Sequence, residues 1–450
     1  MESVLLFIVG VVVALLGIAI SIALHEMGHL VPAKLFGVRV SQYMIGFGPT
    51  MLSRRFGETE YGLKWLPLGG YVALSGMYPP KRRGDAPRDG GTGFISSMID
   101  DARDANAETI QPGEEHRAFS LLPAWKRIIV MAAGPFMNLV VAIFCFLIVG
   151  SGFGVYQPST TIYSVSQCVV SAQEAASLPE GAEPACDEPA PGAAAGILPG
   201  DEIVAMNGQP VADWDAASGL IRQSADVPIP TTVLRGGEQV ELVITPRPNV
   251  VYVYDEFSGE RLKGEDGEYL TQEVGFVGIS PQNERVRKDP GFAFEFAGYN
   301  IRKVGEMIVH LPQRVVDMWN AGFGGAERDP NGPQSVVGVG RVIGEVSALT
   351  EVPVADRVAT VLQIIGSLNI ALGIMNLIPL PPLDGGHIAA AIIDSIRRGI
   401  ARLLGRPDPG PFDTAKLLPV TMVVAGLLFA MSALFIYVDI VNPIDLFGSK

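Results

Sequence analysis

Four stretches of the chain stay apolar for the length of a membrane-crossing helix, and the text between them alternates short apolar runs with polar turns. Val4–Leu24 is an unbroken apolar run in which Ser21 is the sole hydroxyl residue. Ile128–Val149 follows, modulated only by Gly134, Pro135 and Asn138. A third run covers Val358–Ile378 with Gln363, Ser367, Asn369 and Asn376 inside it, and a fourth covers Leu417–Val438. Roughly 20 helical residues cross a hydrocarbon layer ~30 Å thick. Backbone polar groups in lipid need internal partners, so each run is predicted to be a helix. A signal peptide is the rival for the first run, but no basic segment precedes it, it is too long, and no small-x-small cleavage site follows.

Basic residues orient these spans. Lys34, Arg39, Arg54, Arg55, Lys64, Lys81, Arg82, Arg83, Lys126 and Arg127 fall between spans one and two. Arg397, Arg398, Arg402, Arg406 and Lys416 fall between spans three and four. The positive-inside rule makes both loops cytoplasmic and leaves both termini and the segment 152–357 outside.

Composition sharpens the class. Hydrophobic residues make up 48% and charged residues 18%, against about 25% charged in soluble domains, and mean hydropathy is +0.32. A net charge of -14 and no basic stripe argue against nucleic acid as a partner. Three cysteines do not make a disulfide scaffold. Cys168 and Cys186 sit in a polar insertion where they either pair or remain two thiols; Cys145 lies in an apolar run.

Chemistry enters one residue after the first run ends. His25-Glu26-Met27-Gly28-His29 has the form HExxH. Two histidines four apart share a helix face, which suits two imidazoles on one Zn²⁺, and Glu26 is placed to take a proton from water at the metal. Ionisable residues at membrane depth are functional candidates by default. A catalytic zinc needs a third protein ligand and one open position. The better candidate is Asp384, in Asn376-Leu-Ile-Pro-Leu-Pro-Pro-Leu-Asp384-Gly-Gly, just past the third span on the side where His29 lies; His387 is the rival. Pro379, Pro381 and Pro382 stop the helix, and Gly385 and Gly386 permit close backbone approach. Asn376 either hydrogen-bonds the substrate backbone or the developing oxyanion, or joins two helices.

HExxH in a first span with N-x-x-P-x-P-x-L-D-G-G at a third resembles the paired signature of the site-2 protease family (peptidase M50). The pattern is most similar to the bacterial RseP-type branch, and the text near Lys81–Arg103 resembles its actinobacterial, Rip1-like members. Gly46-Phe47-Gly48-Pro49 and Pro67-Leu-Gly69-Gly70-Tyr71 resemble that branch's membrane-associated β-hairpin, and Gly134-Pro-Phe-Met-Asn138 its second helix. The resemblance implies a Zn²⁺ cofactor held by His25, His29 and Asp384, with Glu26 as base and Asn376 as a substrate-positioning or oxyanion group. It implies that Gly46, Phe47, Gly48, Gly69, Gly70 and Tyr71 lie beside the substrate strand, although turn punctuation is the plainer reading of these glycines. It also implies single-span membrane substrates such as anti-sigma factors, already cut by an upstream site-1 protease, and residence in the bacterial plasma membrane. An exposed strand edge would offer the unwound substrate replacement hydrogen bonds.

Outside the spans, Ala195-Gly-Ile-Leu-Pro-Gly-Asp-Glu-Ile-Val-Ala-Met-Asn-Gly208 resembles bacterial PDZ domains, with Asn207-Gly208 as a type I′ turn. Residues 171–195 and 80–115 are expected to be flexible, and 292–320 to form an amphipathic helix on the outer surface. The expected fold is therefore a polytopic α-helical membrane protein with four transmembrane helices, a membrane-associated β-hairpin region and one extracytoplasmic PDZ-like α/β domain. In order these are the first helix (1–30), a cytoplasmic loop with the hairpin (31–125), the second helix (126–151), the PDZ-like domain (157–284), an amphipathic segment (290–357), the third helix (358–387), then a cytoplasmic loop and the fourth helix (388–450). The expected activity is zinc-dependent endoproteolysis within the bilayer. A silent scaffold would have lost a ligand or the base, and a membrane-anchored protease for soluble peptides would not use L-D-G-G.

Overall fold

The computed structural model describes residues 2–78, 109–169, 189–254, 261–262, 264, 268–326, 328–329 and 332–444. Lys81, Arg82, Arg83, Cys186 and most of the two stretches expected to be flexible lie outside these residues. The chain divides into one unit of residues 1–153 with 289–450 and a second of residues 154–288.

The first unit is built on helices. These are α1 (Glu2–Leu35), α2 (Ala124–Leu147, continued by a π-turn at Ile148–Phe153), α4 (Gly291–Val309), α5 (Leu311–Phe323), α6 (Val336–Ala348), α7 (Val354–Asn376), α8 (Asp384–Leu403) and α9 (Leu418–Val441); α3 belongs to the second unit. Among the described residues, four helical stretches are long and apolar enough to cross a membrane: Glu2–Leu35, Ala124–Phe153, Val354–Asn376 and Thr414–Val441. Their side chains are mostly apolar, as in helices that face lipid or a buried core.

Small residues let these helices approach closely. A Cβ on Gly28 of α1 would overlap the Ala133 carbonyl of α2, and one on Gly344 of α6 would meet Phe7 at 2.7 Å. Helices in apolar surroundings gain most of their association from such contacts. Phe146, Ala142 and Ile370 pack α2 against α7, with Ala293 and Ala297 of α4. The single amphipathic helix expected over 292–320 is two helices, meeting at His310, where Pro312 takes an early position in α5 and lacks the N–H that continuation would use.

Between α1 and α2 lie β1 (Val40–Phe56) and β2 (Thr59–Leu74). Residues 42–45 pair with 70–73 on one side and with 60–63 on the other, while Phe56 pairs with Thr59 across the turn. The two long strands thus fold over into a small sheet in which residues 70–74 form an edge among the described residues. Val38, Val40, Tyr43 and Leu74 bury its inner face against Leu30, Ala33 and Val130.

The second unit has its own core. β3 (Val155–Val165), β4 (Glu202–Met206), β5 (Ile229–Arg235), β6 (Glu238–Ile244) and β9 (Ile279–Val286) form an antiparallel sheet in the order β9-β3-β4-β5-β6. β7 (Arg247–Tyr252) and β8 (Thr271–Phe276) make a separate ribbon. Alternate residues Ile229, Thr231 and Val233 of β5 point inward, as the two-residue period of a strand requires. The helix α3 (Trp214–Gln223) covers that face through Ala217 and Ile221. Asn207 and Gly208 both have positive φ, 51° and 73°, as a type I′ turn demands. Cys168 is disulfide-bonded and Cys145 is a buried free thiol.

Candidate active site

His25 and His29 lie one turn apart on α1, both 6% exposed. Their Nε2 atoms are 3.2 Å apart, and each is 3.3 Å from Asp384 Oδ2. Among the described residues these are the His, Cys, Asp or Glu side chains that converge on one point, with ligand atoms all within 4.8 Å of one another. His387, the rival ligand, lines the same cavity without joining that convergence.

Asp384 reaches the histidines because of the text around it. α7 ends at Asn376, the segment through Pro379, Pro381 and Pro382 cannot continue it, and α8 begins at Asp384 itself. A Cβ on Gly386 would come within 2.6 Å of the Pro381 nitrogen, so only glycine lets α8 start pressed against that segment. α8 is fixed to α2 by a buried ion pair between Asp394 and Arg127, and Asp394 also accepts from the Phe412 backbone at 3.1 Å.

The residues present suit a zinc ion. Two imidazoles and a carboxylate converge, and Asp384 Oδ2 is buried without a hydrogen-bond donor of its own. Such an N₂O set with an open fourth position is the pattern of catalytic zinc. Glu26 lines the same cavity as His25, His29 and Asp384, where a Cβ on Gly70 would meet its Cγ at 3.1 Å. Asn376 Nδ2 stands 3.5 Å from His25 Nε2.

These groups line a cavity of about 620 Å³ with apolar walls from Ile18, Ile22, Leu368 and Leu372. Gly69, Gly70 and Tyr71 of the sheet edge line it; Gly46, Phe47 and Gly48 do not. Gly46 instead takes φ +90° where a Cβ would meet the Leu66 carbonyl at 2.6 Å. Tyr43, which the sequence did not single out, donates to the Ala23 carbonyl of α1 at 2.7 Å and so ties sheet to helix. Its tyrosine-in-a-strand text carries no signal of that partner.

A helix long enough to span a bilayer, whose two histidines meet a carboxylate from the start of α8 and carry a glutamate between them, has the groups of a metal-dependent membrane peptidase. The family model for peptidase family M50 matches residues 13–403. The zinc metalloprotease Rip1 of Mycobacterium tuberculosis is 33% identical over 98% of this chain and 100% of that protein. Rip1 of Mycolicibacterium smegmatis is 32% identical with the same coverage, and the metalloprotease MmpA of Caulobacter vibrioides is 26% identical over 87% of this chain and 88% of that protein. The chain belongs to peptidase family M50, the site-2 protease family, and is a zinc metalloendopeptidase.

Proposed function

We propose that this protein cuts single-span membrane proteins within or at the edge of the bilayer, with His25, His29 and Asp384 as zinc ligands and Glu26 as general base. The observation that carries the reading is the location of the ligand cluster. It sits near the C-terminal end of a 34-residue apolar helix, in a cavity that also exposes a strand edge at Gly69–Tyr71. Zinc bound there supplies Lewis-acid polarisation of the scissile carbonyl and a more acidic water. Glu26 accepts the proton from the attacking water and returns it to the leaving amine. Asn376 donates to the substrate carbonyl as charge develops on it.

A transmembrane helix shields its own peptide bonds, so the substrate must unwind first. Residues 70–74 replace the lost helical hydrogen bonds by strand addition. The second unit is a PDZ-like module outside the membrane that screens substrates trimmed by an upstream protease, with anti-sigma-factor-like proteins as the substrate class. The orientation that fits the basic loops is multi-pass in a bacterial plasma membrane, with both termini outside.

The test uses purified protein with a single-span substrate and a soluble peptide carrying the same cut site. Native protein should cleave inside the apolar span, and Glu26→Gln should lower turnover at least ~10²-fold while retaining zinc. Cleavage confined to soluble loops, or full activity of Glu26→Gln, would sink the reading.

A further inference from the structure

The zinc ligands need their protons in the right place, and α2 is built to arrange that. A neutral imidazole carries one N–H, and a histidine bound to metal through Nε2 must carry it on Nδ1. For His29 this is met: Nδ1 lies 2.8 Å from the Val130 carbonyl, which can only accept. For His25 the partner of Nδ1 is the side-chain amide of Asn138, at 3.1 Å.

That amide can face the ring in two ways. With its NH₂ toward His25, Nδ1 must be the bare nitrogen, the proton moves to Nε2, and the ligand atom is blocked. The Asn138 oxygen is then buried, in a residue 0% exposed, with no hydrogen-bond partner. A half-turn of the amide, which leaves its outline unchanged, removes the conflict. The oxygen then accepts from His25 Nδ1–H, and Nε2 is free.

We infer that Asn138 is a positioning residue of the zinc centre, its amide oxygen fixing His25 as the Nδ1–H tautomer; this rests on the ligand assignment of the proposed function. The register of α1 against α2 supports it independently. Val130, Gly134 and Asn138 are spaced i, i+4, i+8 and form one stripe along α2. They face His29 and His25 in antiparallel order: His29 sits at Val130, His25 at Asn138, and a Cβ on the intervening Gly134 would overlap His29 Nε2 and reach His25 Cε1 at 2.9 Å. From the other side Gly373 of α7 closes on Asn138, where a Cβ would lie 3.4 Å from the asparagine Cβ. One helix face thus supplies an acceptor for each imidazole and the clearance between them.

The test reads zinc affinity and ring tautomer rather than turnover. Competition with a chelating dye should show Asn138→Leu binding zinc roughly 10–100-fold more weakly, the usual loss for a group that orients a metal-bound histidine. Asn138→Asp, which keeps an acceptor and no donor, should bind within a few-fold of native. In zinc-loaded native protein labelled with ¹⁵N-histidine, where the metal rather than a proton faces Asp384, and with His25 assigned by a His25→Gln control, His25 should show a slowly exchanging proton on Nδ1. That measurement needs no variant at position 138, so misfolding of the leucine protein leaves the inference open to refutation. Native-like affinity of folded Asn138→Leu, or the absence of that slowly exchanging Nδ1 proton in native protein, would overturn it. His29→Ala and Asp384→Ala separate the two levels: if neither weakens zinc, the ligand assignment and the inference fall together. If both weaken zinc while folded Asn138→Leu does not, the inference falls alone.

Discussion

At the scale of single residues, the proposed metal centre depends on a side chain that is missing. Gly134 lies mid-helix in α2, where alanine has the better helix propensity by about 1 kcal/mol, so propensity alone predicts that Gly134→Ala stabilises the protein. The space does not allow it, because the added carbon would overlap His29 Nε2. The helix would have to withdraw or the imidazole rotate, and either moves Nε2 away from the point where the three side chains converge. We expect Gly134→Ala to remain folded, to lose zinc at least ~10-fold more readily, and to lose activity in proportion, as metal analysis after dialysis will show. The placing of His25, Glu26 and His29 together was legible because five residues of one helix hold them all. Asp384 was legible because prolines and paired glycines mark a helix stop and a close approach. The part played by Asn138 was not, since it exists only in the antiparallel register of α1 and α2, and its partner is 113 positions away.

At the scale of elements, the four apolar helices were plain in the text while α6 and α8 were not. α6 is 13 residues long, too short for a span, and Arg341 and Glu345, paired at 2.6 Å, make it read as a polar segment. α8 was read through its arginines as a loop, although Ala390, Ala391 and Asp394 already trace a buried stripe. What fixes α6 is also non-local. Asp439 near the end of α9 accepts from the Ser335 and Gly338 backbone N–H groups at 2.7 and 3.2 Å, from the Ser335 hydroxyl and from Arg328. It caps a helix from another helix, where the positive end of the α6 dipole favours an anion. The Arg328 and Asp439 side chains are 4% and 1% exposed, so removing Asp439 leaves the buried Arg328 charge with only the Asn442 and Pro333 carbonyls as acceptors among the described residues. Asp439→Ala should therefore cost about 3–5 kcal/mol, and Asp439→Asn, which keeps an acceptor, less. Thermal unfolding in detergent measures both, and equal midpoints for Asp439→Ala and native would contradict the cap.

At the scale of the whole molecule, two cores of different character share one chain. The first unit places apolar side chains outward: the apolar window of α9 has no buried residue. The second buries Ile162, Ile203, Met206, Ile229, Val233 and Ile244 inside a closed sheet-and-helix core. Its alternating strands and Asn-Gly turn were visible in sequence, but its main polar anchor was not. Asp201, 1% exposed, accepts from Arg235 Nε and Nη2, both at 2.7 Å, and from the Leu198 backbone at 2.9 Å. The hydrogen bonds from Arg235 hold its carboxyl below the usual range. A carboxyl depressed in the folded state contributes stability that is complete above the unfolded value, about 3.9. That contribution is lost as pH falls through the folded value. Acid should therefore unfold the second unit in the pH range below ~4. Arg235→Ala takes away the cation while Asp201 stays buried, so the onset should move to higher pH. Trp214 packs against this core and is the sole tryptophan of residues 154–288 among the four in the chain. With the other three replaced by phenylalanine, its fluorescence reports the second unit selectively. The proposed metal centre belongs to the other unit, so zinc content at neutral pH should be the same with and without Arg235→Ala. An acid transition unmoved by Arg235→Ala would show that Asp201 does not anchor the second unit.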